Sequence, residues 1–137
     1  MSKDFTIKGN VDIQTTLATV GTATVIEAGD LVGLTSGVIT KAVDGDTAVA
    51  YCPNGSADGE VSVEVSVGND FTLLGTADAA FAVTDKGVAH DIIVTSTNQL
   101  IDIGASATGV LKVGISSDSG VASSTDEIEV RINKPLF

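Results

Sequence analysis

The chain has 137 residues, enough for one domain with an ordinary core and short for two. Seven basic residues stand against 18 acidic ones, and the formal net charge of −11 argues against nucleic acid and anionic membrane surfaces as partners. No apolar run reaches the roughly 20 residues of a membrane span, and the lone Cys52 excludes an intrachain disulfide framework or a multi-cysteine metal site. Met1–Phe5 lacks the apolar stretch of a signal peptide, so synthesis in a reducing cytosol is the expectation. An apolar content of 43% is enough to drive collapse despite the charge.

Val occurs 18 times, Thr 16 and Ile 11, 15 glycines supply turns, and four Phe and one Tyr are the only aromatics. β-Branched side chains fit a pleated surface better than a helix. Residues 5–13 alternate around Phe5, Ile7, Val11 and Ile13, with a turn or bulge at Gly9-Asn10. Residues 14–24 are Thr-rich without a firm period. They read as an extended segment, either an arm lying on a neighbour or a strand pair turning at Gly21. Residues 1–24 are therefore set apart as an N-terminal extended segment or arm, and 25–137 as a single β domain.

Ala28-Gly29-Asp30 turns into Leu31–Leu34, and Thr35-Ser36-Gly37 links that run to Val38–Ala42 as a hairpin. Asp44-Gly45-Asp46 and Pro53-Asn54-Gly55-Ser56 bracket the strand Thr47–Cys52. In Val61–Val67 the four valines share one face, with Ser62, Glu64 and Ser66 opposite, as in a strand with one wet side. Phe71–Leu74 follows the turn at Gly68-Asn69-Asp70. Residues 76–82 are the one place for a short helix, with Thr76 as its N-cap. Further strands are expected at Val88–Val94, Gln99–Ile103, Val110–Ile115 and Glu127–Ile132, with an exposed loop over 116–126. Leu34–Val38 and Val83–Val88 echo each other as strand, Thr-started turn, Gly and Val. About ten short strands with regular turn signals predict an all-β fold, a small β-barrel or β-sandwich.

Residue types that carry chemistry are sparse. His90 is the only histidine. On a strand its neighbour Asp91 points to the other face, so the pair forms no base and orienter, and a structural histidine is expected. Cys52, on an apolar strand, reads as a buried small hydrophobe rather than an activated nucleophile. Asp44-Gly45-Asp46 invites a calcium loop, but the twelfth position, where an EF-hand needs Glu, is Gly55. Asp58, Glu60 and Glu64 read as a solvated face. Neither a phosphate cradle nor a Gly-x-Ser-x-Gly elbow is present. No catalytic residue, metal site or cofactor is expected.

The run Ala28-Gly29-Asp30-Leu31-Val32-Gly33-Leu34, followed by Gly37-Val38-Ile39, resembles the capsid decoration (cement) proteins of tailed bacteriophages. The resemblance continues at Val83–Val88, Val110–Ile115 and Ile128–Ile132, and covers roughly residues 28–132 in pattern. It implies a small β protein, often a homotrimer, made in the host cytoplasm and placed on the outer capsid surface of the virion. There it would bridge capsomers of the major capsid protein and stabilise the shell, with no catalysis and no cofactor. Apolar residues near the two ends are the candidate contacts: Phe5, Ile7, Val11 and Ile13 at one, Pro135, Leu136 and Phe137 at the other. A carbohydrate-binding or adhesion module of a fibre is the alternative. It needs an exposed aromatic platform, and there is no Trp. A nucleotide-processing trimer would need convergent phosphate ligands, whereas Lys3, Lys8, Lys41, Lys86, Lys112, Arg131 and Lys134 look scattered.

Overall fold

A computed structural model describes residues 4–9, 11–21, 24–57, 59–80, 82–95, 98–114 and 127–137. Eleven strands lie among them: β1 (Thr6–Ile7), β2 (Thr15–Thr19), β3 (Asp30–Thr35), β4 (Val38–Lys41), β5 (Ala50–Cys52), β6 (Ser62–Ser66), β7 (Leu73–Thr76), β8 (Ala89–Thr95), β9 (Asn98–Asp102), β10 (Leu111–Val113) and β11 (Glu127–Ile132). They form a six-stranded sheet in the order β1-β7-β11-β10-β8-β9, a three-stranded sheet β4-β3-β5 and a pair β2-β6, with every ladder antiparallel. The all-β expectation holds. The sheets stack as a sandwich, and no ladder closes into a barrel among the described residues.

The layering follows from which side chains share a core. One apolar cluster gathers Leu73, Ile92, Ile101, Leu111, Val113, Ile128, Val130 and Ile132 from the large sheet, with Leu31 of β3 and Tyr51 of β5. A second gathers Val32, Ile39, Ala50 and Cys52 from the small sheet, with Val63 and Val65 of β6. Successive residues of β3 and β5 thus point into different cores. The three-stranded sheet is the middle layer, buried on both faces, which is why its strands read as nearly continuous apolar runs. The small sheet meets the β2-β6 pair at both edges. Val20 bridges Ile39 on one side, and the Tyr51 N–H donates to Ser66 Oγ at 2.8 Å on the other.

Local chemistry explains the best-formed hairpin. Ser36 and Gly37 carry φ of 51° and 81°, both positive, as a type I′ turn requires. Thr35 therefore still belongs to β3 and pairs with Val38. The echo with Val83–Val88 is one of sequence alone, because Val83–Asp85 is a 3₁₀ turn.

Two expectations are corrected. The helix near 76–82 does not form: Thr76 ends β7, and Ala77 bridges Ile101 and is buried. A helix of that length is marginal alone, and continuing onto β9 gives the Asp78 N–H a partner in the Ile101 carbonyl at 2.9 Å. The four-valine face of 61–67 is halved. Val63 and Val65 are buried, but Val61 is 61% exposed and Val67 half-buried, since the ladder ends at Ser62 and Ser66. Within residues 1–24 the described strands pair with the body of the fold: β1 with β7, and β2 with β6. The loop expected over 116–126 lies outside the described residues.

Gln99 of β9 joins the large sheet to the small one. Just past the end of β4, where the Ala42 N–H still donates to the Leu31 carbonyl at 2.9 Å, the Gln99 amide inserts between the two strands. Its Oε1 accepts from the Leu31 N–H, and its Nε2 donates to the carbonyls of Leu31 and Ala42, all at 2.8 Å. Gln99 is 1% exposed and both partners are fully buried. Replacing it by leucine strands the Leu31 N–H and the Ala42 carbonyl, at about 1–3 kcal/mol per orphaned group. We expect Gln99→Leu to lower the urea midpoint accordingly with an unchanged slope, and an unaltered midpoint would refute the role given to the amide.

Candidate functional site

The candidate chemical residues are placed by the fold in structural roles. Cys52 is fully buried in the second core, and burial pushes its thiol pKa up, away from the thiolate. His90 faces the first core beside Leu111 and is 3% exposed. Both its ring nitrogens are buried without a hydrogen-bond partner among the described residues, and its Nε2 lies 4.0 Å from Asp85 Oδ1. Asp46 is spent on a turn, where its Oδ2 accepts from the Val43 N–H at 3.0 Å, and Asp44 is exposed beside it. Glu60 accepts from the Ala57 N–H, and Glu64 from the Asn54 amide. Asp58 lies outside the described residues. Among the described residues no cluster of His, Cys, Asp or Glu could hold a metal ion.

One acidic group was not singled out from the sequence. Asp91 and Asp102 face each other across β8 and β9. Burial raises Asp102, and the nearby Asp78 charge raises it further. At Asp91 burial pushes the same way but is outweighed by donated hydrogen bonds. The Gly109 N–H (2.7 Å), the Thr108 hydroxyl (2.9 Å) and the Thr108 N–H (2.8 Å) all reach Oδ1, and the pKa is lowered. Asp91 is thus a carboxylate clamp on the 104–109 loop.

The apolar residues of the two ends divide into spent and available ones. Phe5 is fully buried in the first core. Its ring lies over Gly75, where an added Cβ would clash with it. Phe5 therefore presents no contact surface. Ile7 and Ile13 pack half-buried on the first core, and Leu136 on the second. Val11 and Phe137 remain 50% and 42% exposed, and Pro135 is exposed too. The backbone brings the two ends together: the Val67 N–H donates to the Gln14 carbonyl at 2.9 Å, and the Gly68 N–H to the Phe137 carbonyl at 2.8 Å. Residues near opposite ends of the sequence thus share one turn.

The cations are less scattered than the sequence implies. Lys86, Lys112 and Arg131 line one open groove of about 390 Å³ on the large sheet, with Gly87, Gly114 and Glu129. Lys112 and Arg131 are register partners on β10 and β11. Each lies on the polar phase of its strand, which the alternation shows, but their apposition is a matter of register between distant strands. No protein-family model matches the chain, and a comparison with curated proteins finds no match.

The Asp91 clamp has a pH signature. A carboxyl lowered on folding adds stability that is full above its unfolded pKa, about 3.9, and is lost as pH falls through the lower folded value. Asp91→Asn should fold at neutral pH and show a shallower loss of stability than the wild type below about pH 4. Urea melts across that range check it, and superimposable acid limbs would refute the clamp.

Proposed function

We propose that this chain is a structural virion protein that decorates the outer surface of a capsid as a homotrimer and stabilises the shell by bridging capsomers of the major capsid protein. The observation that carries the reading is the convergence of the two ends at Val67-Gly68, with Val11, Pro135 and Phe137 left on the surface. These residues fall in the two segments selected from sequence as contacts. The first run of residues that resembles decoration proteins forms the β3–β4 hairpin of the middle sheet.

The physics of such a role is modest per copy. A specific contact buries about 1,600 Å², and many copies on one shell gain by multivalency without any single tight site. Side chains such as Val11 and Phe137 supply apolar area that the fold has not used. The carbohydrate reading draws less support. Phe5, Tyr51 and Phe71 are buried, and among the described aromatics only Phe137 is exposed to stack on a sugar.

Removing residues 1–13 would unfold the domain, because Phe5 belongs to the core. Val11→Asp/Phe137→Asp changes the surface instead and should still fold, with a cooperative thermal transition of its own. The wild type is expected at three times 13.7 kDa by native mass spectrometry and to co-sediment with shells built by the major capsid protein of its own virus. The double variant should run as a monomer and lose most of its shell occupancy. Full occupancy and an unchanged mass for the variant would overturn the proposal.

A further inference from the structure

The large sheet carries a charge arrangement that folding alone does not account for. Lys112 and Arg131 stand directly opposite each other on β10 and β11, both exposed. Like charges at such cross-strand positions, with Cβ atoms about 5 Å apart, oppose sheet formation. Lys86, exposed on the turn that leads into β8, adds a third cation to the same groove. None of the three makes an ion pair among the described residues, and Arg131 has only a 3.4 Å contact from Nε to Thr72 Oγ1. The groove's one carboxylate, Glu129, is held by Lys8.

The other described cations are committed elsewhere. Lys8 pairs with Glu129, Lys41 with Asp4 and Asp30, and Lys134 donates to the Thr108 carbonyl. A chain with only seven basic residues and a net charge of −11 therefore concentrates its three uncommitted described cations in one groove. Carboxylates are plentiful in this chain, yet among the described residues none forms an ion pair with these three.

We infer that the groove lined by Lys86, Lys112 and Arg131 binds an acidic segment of a partner protein. One carboxylate would sit between Lys112 and Arg131, taking the guanidinium fork and the ammonium together, and a second would meet Lys86. Charge complementarity selects this occupant over nucleic acid. A phosphate chain of high charge density meets Glu129 inside the groove and the repulsion of the whole molecule around it. An extended acidic peptide of lower charge density fits three cations. The site rests on the capsid reading only for the partner's identity: the acidic segment would belong to the shell protein.

The experiment needs no shell. Fluorescence anisotropy measures the binding of a fluorescein-labelled octapeptide of alternating Glu and Ser to the full chain at low salt, with an octathymidylate as comparison. We expect the peptide to bind, to weaken as salt rises, and to outcompete the oligonucleotide. Lys112→Glu/Arg131→Glu should weaken peptide binding by about tenfold or more, and Lys134→Glu should leave it unchanged. The single variant Lys112→Glu puts opposite charges across the strands, so its thermal midpoint should stay level or rise while its binding falls; a merely structural lysine would lower the midpoint instead. Absence of peptide binding, equal binding by the double variant, or an oligonucleotide that binds as tightly as the peptide would overturn the inference. Shell occupancy that persists without peptide binding would sink the groove and spare the capsid reading, and peptide binding without shell occupancy would do the reverse.

Discussion

A single side-chain amide lets three layers share one fold. At Leu31 the β3–β4 ladder opens: the Ala42 N–H still reaches the Leu31 carbonyl, but the Leu31 N–H turns to the Gln99 amide, and left bare between two apolar cores it would be intolerable. Gln99 supplies one donor and one acceptor at the spacing a strand would offer. It does so from β9 of the other sheet, so it also sets the height at which the layers stack. Around it lies a cluster of buried charge. Asp30 is 1% exposed, accepts from the Glu27 N–H at 3.0 Å and faces the Lys41 ammonium at 3.5 Å. Burial raises its pKa, while the Glu27 hydrogen bond and the Lys41 charge only partly offset this. Asp4 reaches both Lys41 and the Gln99 backbone N–H. The start of the chain, β3, β4 and β9 are thereby held at one point.

What the sequence reveals and what it hides divide along contact range. Strand positions, the Ser36-Gly37 turn and the burial of Cys52 follow from local alternation and turn chemistry. All were legible without knowing any partner strand. The roles of Gln99 and Asp91 were not. A glutamine in Asn98-Gln99-Leu100 looks like any polar strand residue, and only the arrival of Leu31 and Ala42 makes it essential. The false helix near 76–82 has the same origin. Ala77–Ala80 favours a helix locally, but the ladder to β9 outweighs that preference. The valines of 61–67 show the converse: their periodicity is real, yet it outruns the ladder that gives it meaning.

The candidate contacts illustrate the limit most sharply. Seven apolar residues at two ends look equivalent in sequence. Folding sorts them by a single fact that sequence does not carry, namely which have a core to enter. Phe5 fills the space above Gly75 and disappears, whereas Val11 and Phe137 keep about half their surface. The cations are sorted by register in the same way. Lys112 and Arg131 are separated by 18 positions and meet only because Leu111 pairs with Ile132 and Val113 with Val130.

These placements couple association to stability. The last residues are stitched to the body: the Val49 N–H donates to the Lys134 carbonyl and the Leu136 N–H to the Val49 carbonyl, both at 3.0 Å, and Gly68 holds Phe137. Val49 itself belongs to the first core, so the tail cannot peel away without exposing a core strand. A partner that buries Val11 and Phe137 therefore does more than cover two side chains. It removes the open states in which the tail detaches, and by mass action it stabilises the folded chain in proportion to its own affinity. A core with few aromatics gains more from such clamping than an aromatic-rich one, because each of its own layers contributes less.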